Sequence, residues 1–230
     1  LKTVSVVGCG RMGSFLAEKF NSNYELIVVD KNLNVATHLS DKLKCLGSNS
    51  YDVLDKADII VLALPTEVMV EAVKQITQKL TKSPVLVNIA TTASDTELEK
   101  TFNNKKNINL ISAKIIGHAG EMRKGERPII IIDGSKDSKT KLEAAELFSK
   151  VGTVVFGDVQ QVALINTVSS EEGIKTALRI KERLLKQNIP EELIDFAIRN
   201  VAAGTMKAFT EGDIGPFAQK IIEAFNKSKE

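Results

Sequence analysis

The strongest constraint on the fold lies in the first thirty residues. An apolar run, "TVSVV", leads into the glycine loop "GCGRMG"; the loop opens the helix-period stretch "RMGSFLAEKF", and a second apolar run, "ELIVVD", closes the unit at Asp30. Three neighbouring glycines alone mark only a turn, but a strand before them and a helix after them define a βαβ unit with a specific loop geometry. Gly8 permits the tight turn, Gly10 keeps the approach to the loop free of a side chain, and Gly13 lets helix and strand pack closely. Such a loop turns the unpaired N–H groups at the helix start, and the positive end of its dipole, toward a phosphate. The unit therefore reads as a dinucleotide site. Asp30 follows Gly8 by about 20 positions, the spacing at which a carboxylate takes the adenosine ribose hydroxyls. That favours NAD, because the same carboxylate repels the 2′-phosphate of NADP. The neighbouring Lys31 either turns inward and compensates, which keeps NADP possible, or is simply solvated.

The rhythm of the opening unit continues. The runs "DIIVLAL", "PVLVNI", "INLISAKII", "PIIIID" and "TVVF" alternate with helix-period segments such as "TEVMVEAVKQITQKL" and "SKTKLEAAELFSKV". Strands that are apolar throughout are covered on both faces. The expected fold class is α/β: a Rossmann-type, doubly wound, mostly parallel sheet followed by a small all-helical C-terminal domain. The boundary falls after Gly157, giving a dinucleotide-binding domain over 1–157 and a helical substrate and dimerisation domain over 158–230. There Asp158 and Gln161 have the form of a capping box, and no proline follows until Pro190, so one long helix is expected. A second helix opens at Pro190 and is expected to stop at Gly204; "GPFAQKIIEAF" reads as a third. A tail of roughly 70 residues is marginal for an independent core. Its apolar faces are expected to be covered in a homodimer.

Composition narrows the partners. Thirty-one basic against 29 acidic residues give a net charge of +2, with no segment basic enough to neutralise a run of phosphates, so no nucleic-acid partner is expected. Cys9 and Cys45 are too few for a disulfide framework and have no metal-ligand spacing, so no metal site is expected and a reducing cytoplasm fits best. The apolar runs are short and broken by charges, and the first strand begins almost at once; neither a membrane span nor a leader is expected.

With these motifs placed, most of the chain resembles the β-hydroxyacid dehydrogenase family, which includes 3-hydroxyisobutyrate dehydrogenase and the 6-phosphogluconate dehydrogenases. "VVGCGRMG" is similar to that family's glycine loop, including Met12 before the last glycine, which implies that Arg11 and Met12 border the cofactor. "VLALPTEVMVEAV" is similar to its Leu-Pro-Thr segment and implies the same for Leu64, Pro65 and Thr66. "VNIATTASDTELEK" resembles the following strand and turn, with Thr91 near the nicotinamide, and "VGTVVFGDVQQVALINTV" matches the approach to the family's interdomain helix, with Asn166 at its asparagine. The implied activity is hydride transfer between a nicotinamide cofactor and a small carbonyl or hydroxy-acid substrate.

The departures bear on the chemistry. The family's lysine, ahead of that asparagine, is replaced by Val162 and Ala163, neither of which moves a proton. The substrate turn's Ser-Gly-Gly is replaced by Ile116, Gly117 and His118. The short helical tail is more similar to those of pyrroline-5-carboxylate reductase and the coenzyme F420-dependent NADP reductases, and "GHAG" faintly resembles the His-containing turn of prephenate dehydrogenases. His118, after "ISAKII", is the candidate proton donor, since imidazole titrates near neutrality; the alternative is a loop histidine bonded only to backbone. Asn166 either orients substrate or bonds a neighbouring helix. Lys114 is either an edge-strand lysine or an anchor for a substrate carboxylate. His38, in the helix after the second strand, reads as a surface or packing residue. Two further readings stay open: a reductase of C=N bonds, and a dinucleotide-binding sensor without catalysis.

Overall fold

A computed structural model describes residues 1–102, 108–135 and 137–228. Its sheet comprises β1 (Thr3–Val7), β2 (Glu25–Val29), β3 (Leu46–Ser48), β4 (Ile59–Leu62), β5 (Val85–Asn88), β6 (Asn109–Ile116), β7 (Ile129–Asp133) and β8 (Thr153–Gly157). The strand order is β3-β2-β1-β4-β5-β6-β7-β8. All neighbours pair in parallel except β6 and β7, where Ile115 faces Ile130 in antiparallel register. The mostly parallel, doubly wound sheet expected from the sequence is thus present. After β1 the chain builds outward through β2 and β3, then returns to place β4 on the other side of β1. That reversal opens a crevice beyond the carboxyl ends of β1 and β4.

Period-two alternation divides each strand between two cores. On one face Val4, Val6 and Val28 pack with Phe15, Leu16 and Phe20 of α1 (Arg11–Phe20) and with Leu147 and Phe148 of α6 (Ser138–Phe148). The Phe20 ring meets Tyr24 and Phe148 edge-on, with centroids 6.4 and 5.9 Å away. On the other face Val7, Val29 and Leu62 pack with Met69, Val73 and Ile76 of α3 (Thr66–Lys79), which recur at helical spacing, and with Leu98 of α4 (Asp95–Glu99). Each such side chain, fully buried, contributes about 1.5–3 kcal/mol relative to exposure. This region also contains α2 (Leu33–Leu43) and α5 (Ala119–Arg123).

β3 is absent from the expectations because "LGS" has neither β-branched residues nor length. It forms because Lys44 ends α2 in the left-handed region, at φ 54°, and Cys45 N–H donates back to the Ser40 carbonyl, delivering the chain to the free edge of β2. The helix opened by Pro190 also differs. α8 (Glu191–Phe196) passes through a π-type segment, Ala197–Ala202, into α9 (Ala203–Glu211), so Gly204 does not stop it. A glycine inside a helix costs only about 1 kcal/mol against alanine; the terminator is Gly212, at φ +74°.

Two compact units result, Leu1–Asn166 and Thr167–Glu230. The division lies inside α7 (Gln160–Leu185), whose start is capped by the Asp158 carboxylate accepting from Gln160 N–H at 2.9 Å. Its first turns belong to the sheet unit: Val162 is buried, and Asn166 Nδ2 donates to the Ile115 carbonyl at 2.9 Å. Taken alone, the second unit is nearly coreless. Neither α9 nor α10 (Pro216–Lys227) has a buried residue, and Phe196, Phe209, Phe217 and Phe225 are exposed. Among the described residues no helix is long and apolar enough to cross a membrane.

Candidate cofactor-binding site

The glycine loop meets its geometric requirements at each position. Gly8 leaves β1 at φ +96°, where a Cβ would stand 2.3 Å from the Ala63 carbonyl oxygen. At Gly13 a Cβ would fall 1.8 Å from the Gly8 carbonyl oxygen, so the close approach of α1 to the end of β1 demands glycine. Gly10 has nothing within 4 Å of that position. The loop is closed toward the protein and open toward the crevice.

Asp30 fixes this loop from the end of β2. Its Oδ2 accepts from Cys9 N–H at 2.8 Å and its Oδ1 from Asn32 N–H at 2.9 Å. Cys9 is buried, and burial, with the Asp30 carboxylate beside it, pushes its thiol up to about 12. It is a filler and not a nucleophile.

The crevice has a volume of about 840 Å³, and Gly8, Gly10, Arg11, Met12, Gly13, Asp30, Lys31, Leu64, Pro65, Thr66 and Thr91 all line it. Such a volume suits a cofactor-sized ligand. Two helices start at its rim, α1 after Gly10 and α3 after Pro65, and neither has a side-chain cap. Their free N–H groups suit an anionic ligand. At the other end the Thr66 and Thr92 hydroxyls lie 2.8 Å apart. The cradle that glycine alone can form, the uncapped helix starts and the carboxylate at the end of β2 together fit a nicotinamide dinucleotide.

The structure adds lining residues that the sequence did not single out. Tyr51 follows the unforeseen β3, and burial together with Asp30 raises its phenol above the usual range. Val68, Ala72 and Gln75 present one face of α3 to the crevice; their spacing of four and three was the available signal.

The candidate chemical groups lie elsewhere. His118 is exposed just after β6, at the N-cap of α5 without a side-chain cap bond, and is not among the residues lining the crevice. The Asn166 amide is committed to the β6 backbone, not to another helix. Lys114 is not on an edge strand: it is 3% exposed in β6, which lies between β5 and β7. His38 is exposed on α2. Arg123, the last residue of α5, donates to Ser14 Oγ at 2.9 Å and pairs with Glu18, joining α5 to α1.

Residues 3–92 match the family described as NADP oxidoreductase, coenzyme F420-dependent. No curated protein matches the chain in sequence. Solved structures match its fold over most of its length. A pyrroline-5-carboxylate reductase from Coxiella burnetii superposes with a TM-score of 0.73 at 13% identity, covering 98% of this chain and 92% of its own. The 3-hydroxyisobutyrate dehydrogenase of Mycobacterium tuberculosis, solved with L-serine, gives 0.62 at 14% identity, covering 87% of this chain and 71% of its own. Prephenate dehydrogenase from A. aeolicus, in complex with hydroxyphenyl propionate and NAD+, gives 0.63 at 18% identity, covering 99% of this chain and 88% of its own. At such identities what is shared is the fold. Residues 3–92 are thus similar to the coenzyme F420-dependent NADP oxidoreductases, and the chain as a whole shares the fold of a pyrroline-5-carboxylate reductase, a 3-hydroxyisobutyrate dehydrogenase and a prephenate dehydrogenase.

Proposed function

We propose that the protein is an NAD(P)-dependent oxidoreductase that transfers a hydride between a nicotinamide cofactor and a small carbonyl or hydroxy-acid substrate. The observation that carries this reading is the glycine loop, shut by Ala63 and Gly8 toward the protein and open at Gly10 toward the crevice. When bound, the cofactor supplies or accepts the hydride. The free N–H groups at the start of α1 hold its phosphates, and Asp30 takes a ribose hydroxyl with its remaining lone pairs, favouring NAD over NADP. Thr66, Thr91 and Thr92 border the nicotinamide end.

Reduction of a carbonyl also needs a proton. The crevice lining offers the hydroxyls of Thr66, Thr91 and Thr92 and the carboxylates of Asp30, Glu67 and Glu71, but no imidazole. β6 runs parallel to β5, so His118 leaves the sheet at the same edge as the Thr91 turn, and it is assigned the proton transfer. Asn166, its amide anchored on Ile115 through one N–H, keeps its carbonyl oxygen and its second amide hydrogen for a substrate.

A second reading, reduction of a C=N bond, draws on Val162 and Ala163 at the family's lysine position, because a protonated imine needs little acid assistance. A panel of 2-keto acids, semialdehydes and cyclic imines with NADH and NADPH separates the readings. Turnover of oxo compounds supports the first, with His118→Asn lowering it roughly 10²- to 10⁴-fold. Turnover of imines alone supports the second. Cofactor binding without any turnover overturns both in favour of a sensor.

The exposed phenylalanines of the second unit support a homodimer formed through the C-terminal helices, and the absence of nucleic-acid and membrane partners is retained from the sequence. The cytoplasm is the proposed location.

A further inference from the structure

Lys114 is the buried charge that the proposed chemistry leaves unused. β6 alternates between the two cores, with Ile111, Ala113 and Ile115 on the α6 side, so Lys114 projects to the side of α3 and α4. There its Nζ donates to the Ala90 carbonyl, and more weakly to the Ala93 carbonyl at 3.5 Å. Ala90 belongs to the turn after β5 whose members Ala90, Thr91 and Thr92 line the crevice. The base of the turn is held by uncharged and acidic partners: Asn88 Oδ1 accepts from Ala90 N–H at 3.0 Å, and Asn88 Nδ2 donates to the Ala93 carbonyl at 3.0 Å and to Asp95 Oδ1 at 2.8 Å. Ser112 Oγ donates to the same Asp95 oxygen at 2.8 Å.

The Ala90 carbonyl and the Thr91 N–H are two ends of one peptide group. The peptide is trans, so with the carbonyl pointing at Lys114 the N–H points the opposite way. Among the described residues that N–H donates to no acceptor. A cation on a carbonyl oxygen withdraws electron density through the amide and makes its N–H a better donor. We propose that Lys114 is a positioning residue that orients and polarises the Ala90–Thr91 peptide so that its N–H donates to an oxygen of the nicotinamide half of the cofactor. This inference rests on the dinucleotide reading of the crevice.

The arrangement responds to pH. Burial is the dominant influence and lowers the Lys114 ammonium to about 8, against the opposing pull of Asp95 from α4. Of the strands beside it, β5 contributes the uncharged Asn88 and β7 places Ile131 opposite. Raising the pH through about 8 removes the charge and weakens the polarisation. Tyr51 at the crevice and Cys9 in the glycine loop are both shifted upward, away from this range.

The test is calorimetric titration of the full chain with two probes, NADH (or NADPH if it binds more tightly) and ADP-ribose, which lacks the nicotinamide, at pH 7 and 9.5. The expected result is that the reduced cofactor loses roughly tenfold in affinity at the higher pH, the order of one charge-assisted hydrogen bond, while ADP-ribose is unchanged. Lys114→Met should show the weaker affinity at both pH values, and Lys114→Arg should restore affinity without the pH dependence. An affinity ratio of the two probes that stays flat across pH in the unmodified protein overturns the proposal. So does equal weakening of both probes in Lys114→Met, which would make the lysine merely structural. If Lys114→Met does not fold, the pH series on the unmodified protein decides alone. Failure of both probes to bind overturns the dinucleotide reading itself and this inference with it.

Discussion

Gly10 and Gly13, three residues apart in the same loop, should fail in opposite ways when substituted. A methyl group at Gly13 would sit 1.8 Å from the Gly8 carbonyl oxygen and 3.1 Å from Ala63 Cβ. The backbone oxygen cannot rotate aside, so α1 must move away from β1. Overpacking of this kind costs about 1–3 kcal/mol and sometimes more, and the severity of the overlap places Gly13→Ala at the upper end. Replacing glycine by alanine inside a helix returns about 1 kcal/mol, leaving a net loss of about 2 kcal/mol or more. For a chain of this size that lowers the melting temperature by roughly 4–8 °C. At Gly10 an added Cβ meets nothing within 4 Å, so Gly10→Val should leave the melting temperature within about 2 °C. Its branched side chain instead fills the space against the phosphates. Calorimetric unfolding and titration with NADH on both variants separate the effects: Gly13→Ala melts early, whereas Gly10→Val melts normally and loses binding at least a hundredfold. Unchanged affinity in Gly10→Val would refute the placement of the cofactor, and an unchanged melting temperature in Gly13→Ala would refute the packing argument.

Asp30→Asn should narrow the difference between the dissociation constants of NADH and NADPH, since it removes the charge facing a 2′-phosphate; tighter binding of NADPH by the unmodified protein would count against the NAD assignment. Acid should loosen the contact of α1 with α2 and α5. Burial pushes the Glu18 carboxyl up, but its bonds to Lys42 and Arg123 outweigh that and hold it below the usual range, so its contribution is complete above about pH 4.5 and disappears as the pH falls through the depressed value. Urea midpoints from pH 7 to 3 should therefore decline at the acid end, less steeply in Glu18→Gln. Light scattering at micromolar concentration should give twice the 25.1 kDa chain mass, and a monomer would overturn the homodimer.

The parts legible in sequence were those where local chemistry and the fold agree. β1, α1 and β2 coincide with their expected segments because apolar strands, a glycine loop and an amphipathic helix need no distant information. The eleven-residue helix α6 and the start of α3 at Thr66 were equally plain. β3 was hidden because its pairing is set by a left-handed Lys44 and by the free edge of β2, not by the residues of "LGS". Lys114 misled for a related reason. A lysine in an apolar run suggests an edge, and only the tertiary placement of the Ala90 turn supplies the carbonyls that let it lie inside. His118 and Asn166 could be picked out by residue type, yet their relation to the crevice depends on β6 and on the start of α7, which periodicity does not fix.

The hydrogen bond from Cys9 N–H to Asp30 carries a consequence for the speed and thermodynamics of ligand capture. Because this carboxylate already orders the loop in the free protein, the entropy of ordering it is lost during folding and not at the encounter. Each flexible side chain or loop element that need not be immobilised spares about 0.5–1.5 kcal/mol at binding. Association should then proceed in a single phase whose rate rises linearly with nucleotide concentration, without the plateau that a slow loop closure imposes, and differences in affinity among nucleotides should reside in how fast they leave.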